Sequence, residues 1–155
     1  MVMTREEWEA LYTSAVPDVY RALLATLRDR QRAEDALHDA FVEGLTRPPD
    51  RRDNIAGWLF RVAIRRARRH AWRWLSFPAG VTPAAPDDTP AILDRLEAGR
   101  LLALLSERQR AIVVAHYYLG LTHSETAEVF GVRPGTVSAT LAQALARMRK
   151  EVSHV

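Results

Sequence analysis

The sequence predicts an all-α protein made of two small helical domains joined by a flexible linker. Three observations lead there. Apolar residues recur at spacings of three and four along most of the chain, and no stretch alternates for long enough to make a convincing strand. Thr4-Arg5-Glu6-Glu7, Ser106-Glu107-Arg108-Gln109 and Thr122-His123-Ser124-Glu125 each place a carboxylate or carboxamide three residues after a hydroxyl, the capping box that opens a helix. Between Ser76 and Thr89 lie Pro78, Pro83 and Pro86 with Gly80, small residues and Asp87-Asp88, the composition of an extended, mobile connection. The expected division is a domain over 1–75, a linker over 76–89 and a domain over 90–155.

The elements follow in order. A helix opens at the Thr4 box with Trp8, Leu11 and Tyr12, and its pattern resumes after Pro17 with Val19, Tyr20, Leu23, Leu24 and Leu27. A second, over about 32–45, carries Ala33, Leu37, Ala40, Phe41, Gly44 and Leu45, and Pro48-Pro49 ends it because proline cannot continue the backbone ladder. Asn54 can cap a third helix running to about Leu75. Beyond the linker, Thr89-Pro90 offers an N-cap followed by proline at the first helical position. Further helices are expected at about 90–105, 107–118, 123–130 and 134–150. No internal repeat occurs at a fixed period.

Composition narrows the function classes. The chain has 155 residues, no cysteine and a formal net charge of +3. Disulfides, thiolate metal sites and cysteine nucleophiles are therefore excluded. No apolar run approaches the roughly 20 residues that span a bilayer, and no basic-then-apolar signal pattern opens the chain. A soluble, cytoplasmic protein without membrane insertion is expected. The modest net charge hides strong polarity: residues 1–50 carry 6 basic against 10 acidic groups, and residues 51–75 carry 8 arginines against one aspartate.

That polarity falls on particular helix faces. Over 58–75, Arg61, Arg65, Arg68 and Arg69 share one arc, with Arg66 and Arg73 at its edge. Leu59, Phe60, Ala63, Ile64, Ala67, Ala71 and Trp74 occupy the opposite arc, Trp74 as core. Trp72 falls within the arginine arc and Trp58 near it. Arginines tracking a phosphate backbone, interleaved with aromatics that stack on unpaired bases, suit single-stranded or opened DNA. A solvated face, with the Trp72 ring lying on arginine stems or on the linker, is the competing reading. The 32–45 helix presents Glu34, Asp35, His38, Asp39 and Glu43, a face that DNA would repel and a basic protein would accept; an ordinary solvated surface is the competing reading.

Residues 122–149 read as a helix-turn-helix. A capped helix ends at Phe130, Gly131 supplies the turn, and Pro134 starts a second helix with Val137, Leu141, Ala144, Leu145 and Met148 on one face. Thr136, Ala139, Thr140, Gln143 and Arg147 lie on the other. Small polar side chains let a backbone approach base edges, and glutamine can pair with adenine in the major groove. A helical hairpin packed in a bundle is the alternative. Beyond Arg133, Arg147 and Arg149 this face has little positive charge, so the domain alone should bind DNA weakly. Asp35 with His38 and Glu151 with His154 repeat a carboxylate–histidine spacing seen in di-metal bundles, but such a site also needs further inward-facing carboxylates, and the second pair is expected in a frayed tail. No phosphate loop, dinucleotide fingerprint or nucleophile elbow is present. No metal, cofactor or enzymatic activity is expected.

In chain order these pieces resemble the extracytoplasmic-function sigma factors of bacterial RNA polymerase. Ala33-Glu34-Asp35-Ala36-Leu37-His38-Asp39-Ala40-Phe41 looks like the family's region 2.2, and Asn54-Ile55-Ala56-Gly57-Trp58-Leu59-Phe60-Arg61-Val62-Ala63 like the start of its promoter-melting segment. Leu105-Ser106-Glu107-Arg108-Gln109-Arg110, Gly120-Leu121-Thr122 and Gly131-Val132-Arg133-Pro134-Gly135-Thr136-Val137 look like region 4. The resemblance implies that Glu34, Asp35, His38 and Asp39 dock on core RNA polymerase. It implies that Asn54, Trp58, Arg61, Arg65, Arg68, Arg69 and Trp72 recognise and melt the −10 element. Arg133, Thr136, Ser138, Ala139, Thr140, Gln143 and Arg147 would then read the −35 element of promoter DNA. An anti-sigma protein is a partner common in this family. Ala63-Ile64-Arg65 and Arg69 stand where the family often has Ala-Arg-Asn and an aspartate, and Ser138-Ala139-Thr140 and Gln143 stand at positions that are often basic. An unusual −10 preference and a weak −35 contact follow. A sigma-like adaptor that binds polymerase or a regulator without directing initiation is the other reading.

Overall fold

The computed structural model describes residues 3–50, 53–75 and 96–152, with side chains throughout except at 70–75. Helix α1 (Arg5–Leu27) opens on the Thr4 capping box, where Oγ1 accepts from the Glu7 amide at 3.1 Å and Glu7 Oε2 accepts from the Thr4 amide at 2.9 Å. Pro17 lies inside α1, and the helix runs through it. Proline withdraws one N–H from the ladder, but Pro17 is exposed and buried Trp8 and Val19 anchor the helix on either side. Arg28, at φ 55°, ends α1, and Asp29 caps α2 (Arg30–Thr46) by accepting from the Arg32 amide at 2.9 Å. Helix α3 (Ile55–Leu75) starts at Asn54, whose Oδ1 accepts from the Gly57 amide at 2.9 Å. Asn54 itself sits at φ 54°, a left-handed conformation that asparagine tolerates.

These three helices pack on one another around Trp8, Leu23, Leu37, Leu59, Phe60 and Ile64. The apolar arc predicted for α3 is the buried one as far as the described side chains go. Trp8 explains a small residue on α2: a Cβ at Gly44 would fall on Cζ2 and Cε2 of its ring. The indole cannot retreat, because it is fully buried and its Nε1 donates to the Phe41 carbonyl at 3.2 Å. Overpacking costs about 1–3 kcal/mol, against at most about 1 kcal/mol gained from helix propensity. Gly44→Ala is therefore expected to lower stability by about 1–2 kcal/mol, read as an earlier midpoint in urea with an unchanged slope.

The C-terminal half comprises α4 (Glu97–Ala103), α5 (Glu107–Val113), α6 (His123–Phe130) and α7 (Pro134–Val152). The linker and the helix start at Thr89-Pro90 lie outside the described residues. The Ser106 and Thr122 capping boxes both form. The helix expected over 107–118 is not α-helical to its end: Val114–Tyr118 is a π turn, with the Leu119 amide donating to the Val114 carbonyl at 3.1 Å. The wider turn keeps Val114 and Ala115 buried and leaves Tyr117 and Tyr118 exposed. Gly131 closes α6 at φ 63°, a conformation that costs a residue bearing a Cβ about 1–2 kcal/mol. Val137, Leu141 and Ala144 of α7 are buried against the rest of this half, and no strand occurs among the described residues.

The two described halves touch along α1 and α3, with α5 and the π turn against α1 and α6 against α3.

Candidate nucleic-acid interface

Three surfaces carry the residues singled out in the sequence. On α2, Glu34, Asp35 and His38 are exposed and Asp39 is half-buried. Arg30 Nε donates to Glu34 Oε1 at 3.2 Å and Gln31 Nε2 to Asp35 Oδ1 at 2.9 Å, contacts one turn apart that hold the carboxylates in place. Glu43 departs from the expected outer face. Its carboxylate lies 3.6 Å from Arg66 Nη2 on α3, so it joins the two helices instead of facing outward.

On α3, Arg65, Arg68 and Arg69 are exposed and Arg61 is half-buried, on the side opposite Leu59, Phe60 and Ala63. Burial, then the neighbouring charge of Arg61, lower the Arg65 guanidinium pKa from its ordinary value. An arginine stays charged regardless, so the shift registers first the partial burial of this guanidinium and only second the neighbouring positive charge. Trp58 is half-buried, its ring edge-on to Trp8 at 5.4 Å between centroids. The ring is thus partly committed to the core, which the helical wheel did not show. The Trp72 side chain lies outside those described.

A cleft of about 310 Å³ opens beside Trp58, with Asn54 and Arg61 on one side and Leu121, Glu125 and Val129 on the other. Its far wall belongs to the C-terminal half, so sequence reading of the α3 face alone missed it. Across the same junction Asn54 Nδ2 donates to the Leu119 carbonyl at 3.3 Å. Asn54 therefore caps α3 through Oδ1 and ties the two halves through Nδ2.

On α7, Arg133, Thr136, Ser138, Ala139, Gln143 and Arg147 are exposed and Thr140 is half-buried, which makes one continuous outward face. Two of its hydroxyls have partners within the chain. Ser138 Oγ lies 2.9 Å from His123 Nδ1 and 3.3 Å from the Pro134 carbonyl, and Thr140 Oγ1 donates to the Thr136 carbonyl at 2.8 Å. Gln143 and Arg147 are the long polar side chains left at the centre of the face. The His123 ring stacks obliquely on His116 at 4.7 Å, and His116 Nδ1 donates to the Leu121 carbonyl at 2.9 Å, which gives both histidines structural work in the motif. Among the described residues no group of three or more histidines and carboxylates is placed to hold a metal, and no helix is long and apolar enough to cross a membrane.

Comparison with known proteins covers both halves. The family described as Sigma-70 region 2 matches residues 11–73, and Sigma-70, region 4 matches residues 95–148. The ECF RNA polymerase sigma factor SigL of Mycobacterium tuberculosis is 30% identical over 151 residues, spanning 90% of this chain and 85% of that one. The RNA polymerase sigma-E factor of Streptomyces avermitilis is 31% identical over 157 residues, spanning 94% and 85%. Among solved structures, the sigma factor RpoE in complex with the anti-sigma factor NepR from Bartonella quintana shares the fold. It matches at a TM-score of 0.73 and 18% identity over 96% of this chain and 98% of that one.

Proposed function

Because the chain belongs to the ECF sigma factors of the sigma-70 family, we propose that its three polar surfaces divide the work of promoter-specific initiation. The acidic face of α2, through Glu34, Asp35, His38 and Asp39, docks on core RNA polymerase. The α3 face, through Asn54, Trp58, Arg61, Arg65, Arg68, Arg69 and Trp72, binds and opens the −10 element. The α7 face, from Arg133 to Arg147, reads the −35 element. The observation that carries this assignment is the opposite polarity of α2 and α3 within one rigid bundle. Their shared core fixes a DNA-repelling face and a phosphate-attracting face on neighbouring helices, so polymerase and DNA can be engaged together.

Opening a promoter extrudes bases from the stack at a cost of a few kcal/mol. Arginine contacts to the freed strand and stacking on aromatic faces offset part of that cost. Catalysis of RNA synthesis belongs to the polymerase, and the sigma factor contributes placement and melting. An anti-sigma protein is a fitting partner, since the structurally similar RpoE is held in complex with one. Action on chromosomal promoters places the protein in the cytoplasm.

In vitro transcription with core polymerase on sheared genomic DNA, with RNA 5′ ends sequenced, tests the whole reading. Starts that appear only when this protein is added support it. Binding to core without new starts would favour an adaptor instead. Within α7, Gln143→Ala is expected to cost about 1–3 kcal/mol at a single base position. Arg147→Ala should weaken all duplexes alike, as loss of a phosphate contact does. Competition binding with single-base variants of the mapped −35 element separates the two.

A further inference from the structure

We propose that His123 is a positioning residue for the −35 contact: it keeps the hydroxyl hydrogen of Ser138 turned into the chain, so that Ser138 offers the major groove only lone pairs. Ser138 then selects an amino group, of adenine or cytosine, over the keto oxygen of guanine or thymine on the strand it meets. This rests on the assignment of α7 to the −35 element. Ser138 is exposed on the outer face of α7, and its Oγ lies 2.9 Å from His123 Nδ1 and 3.3 Å from the Pro134 carbonyl. A hydroxyl has one hydrogen and two lone pairs, and a carbonyl can only accept. If His123 carries a proton on Nδ1, it donates to Oγ and the hydroxyl hydrogen goes to Pro134. If Nδ1 is bare, the hydrogen goes to His123. Both arrangements commit the hydrogen inside the protein and leave at least one lone pair free on an exposed oxygen.

The ring that sets this is itself held. His123 is the first residue of α6, half-buried, and its ring lies against His116 at 4.7 Å between centroids. His116 is fixed in turn by Nδ1 donating to the Leu121 carbonyl at 2.9 Å and by an edge-on contact with Tyr117 at 4.8 Å. The π turn, α6 and α7 thus form one run of contacts that ends at a base-reading position. A free serine hydroxyl is indifferent, since it pairs with donors and acceptors alike. Turning the Ser138 hydrogen outward would forfeit an internal hydrogen bond. In the major groove N6 of adenine and N4 of cytosine donate, while O6 of guanine and O4 of thymine accept. Thr140 gives an internal comparison: its hydroxyl donates to the Thr136 carbonyl at 2.8 Å on its own helix, without a histidine.

The test is competition binding of the holoenzyme to promoter fragments carrying all four base pairs at each −35 position, with a thermal melt of every variant. Ser138→Ala identifies the position. The parent should prefer adenine or cytosine there about fivefold, and this variant should lose the preference by weakening the amino-bearing sites. His123→Phe keeps a ring against His116 and His123→Ala does not, but both remove the nitrogen and leave Ser138 the longer Pro134 contact alone. They should erase the same preference in the opposite way, by strengthening the guanine and thymine sites as the freed hydroxyl donates to them. His123→Asn, whose side-chain amide reaches the place of Nδ1, should restore it. The preference at the position read by Thr140 should hold in all three His123 variants. A keto preference in the parent at the Ser138 position would overturn the proposal. So would His123 variants that keep the parent's preference or weaken all sequences equally. Failure of the −35 assignment would look different: Ser138→Ala, Gln143→Ala and Arg147→Ala would then leave affinity for every fragment unchanged, which removes both.

Discussion

Asp35→Arg is expected to weaken binding to core RNA polymerase about 100-fold, equivalent to about 2.8 kcal/mol, without changing the unfolding temperature. The magnitude follows from placing a like charge against a basic docking surface, which costs several kcal/mol where two charges are forced together. Stability should hold because Asp35 is exposed and accepts its hydrogen bond from Gln31 on its own helix, and surface substitutions of this kind stay within about 0.5 kcal/mol. Adding Asp39→Arg should deepen the loss. Titration of labelled core with each variant, beside a thermal melt, decides the matter. Parent-like affinity would remove α2 from the docking surface.

Promoter opening is expected to fall tenfold or more when Arg65 and Arg69 are both replaced by alanine, with binding to core unaffected. Each phosphate contact to a single strand contributes about 0.7 to the slope of log affinity against log salt. The double variant should therefore flatten that slope by about 1.4, measured on a forked promoter fragment with the holoenzyme. Both arginines are exposed, and Arg65 also donates to the Glu128 carbonyl. Arg69→Ala alone is thus the cleaner measure of phosphate contact. An unchanged slope would mean that these arginines form a solvated face.

Much of this architecture can be read without coordinates, and the reason is locality. The three capping boxes connect residues three apart, so their outcome depends on a single turn of chain. All three form as written. The buried arcs of α3 and α7 follow from periodicity, because a helix with one apolar stripe has one way to bury it. The acidic and basic segments are equally plain in composition. The π turn at Val114–Tyr118 was not legible, since its residues suit an ordinary α-helix as well, and only packing selects the wider turn.

The site itself divides along the same line. Glu34, Asp35 and His38 on α2, Arg65, Arg68 and Arg69 on α3, and Gln143 and Arg147 on α7 face outward as the helical wheels require. Departures arise where a residue meets a partner distant in sequence. Glu43 turns to Arg66, Trp58 leans its edge on Trp8, and Ser138 engages His123. A wheel reports the direction of a side chain about its own axis and nothing about what waits there.

The sequence by itself determined the helices, their caps, the polarity of each face and membership of the sigma family, all properties carried by residues within a few turns of one another. Only the tertiary structure decided that Glu128 meets Arg61 and Arg65, that Arg110 reaches the Thr26 carbonyl, and that the two halves therefore share a junction. Those pairs lie more than 60 residues apart and have no periodicity to betray them. Their formation depends on how two preformed surfaces fit, which is a property of the folded shapes and not of any local run of residues.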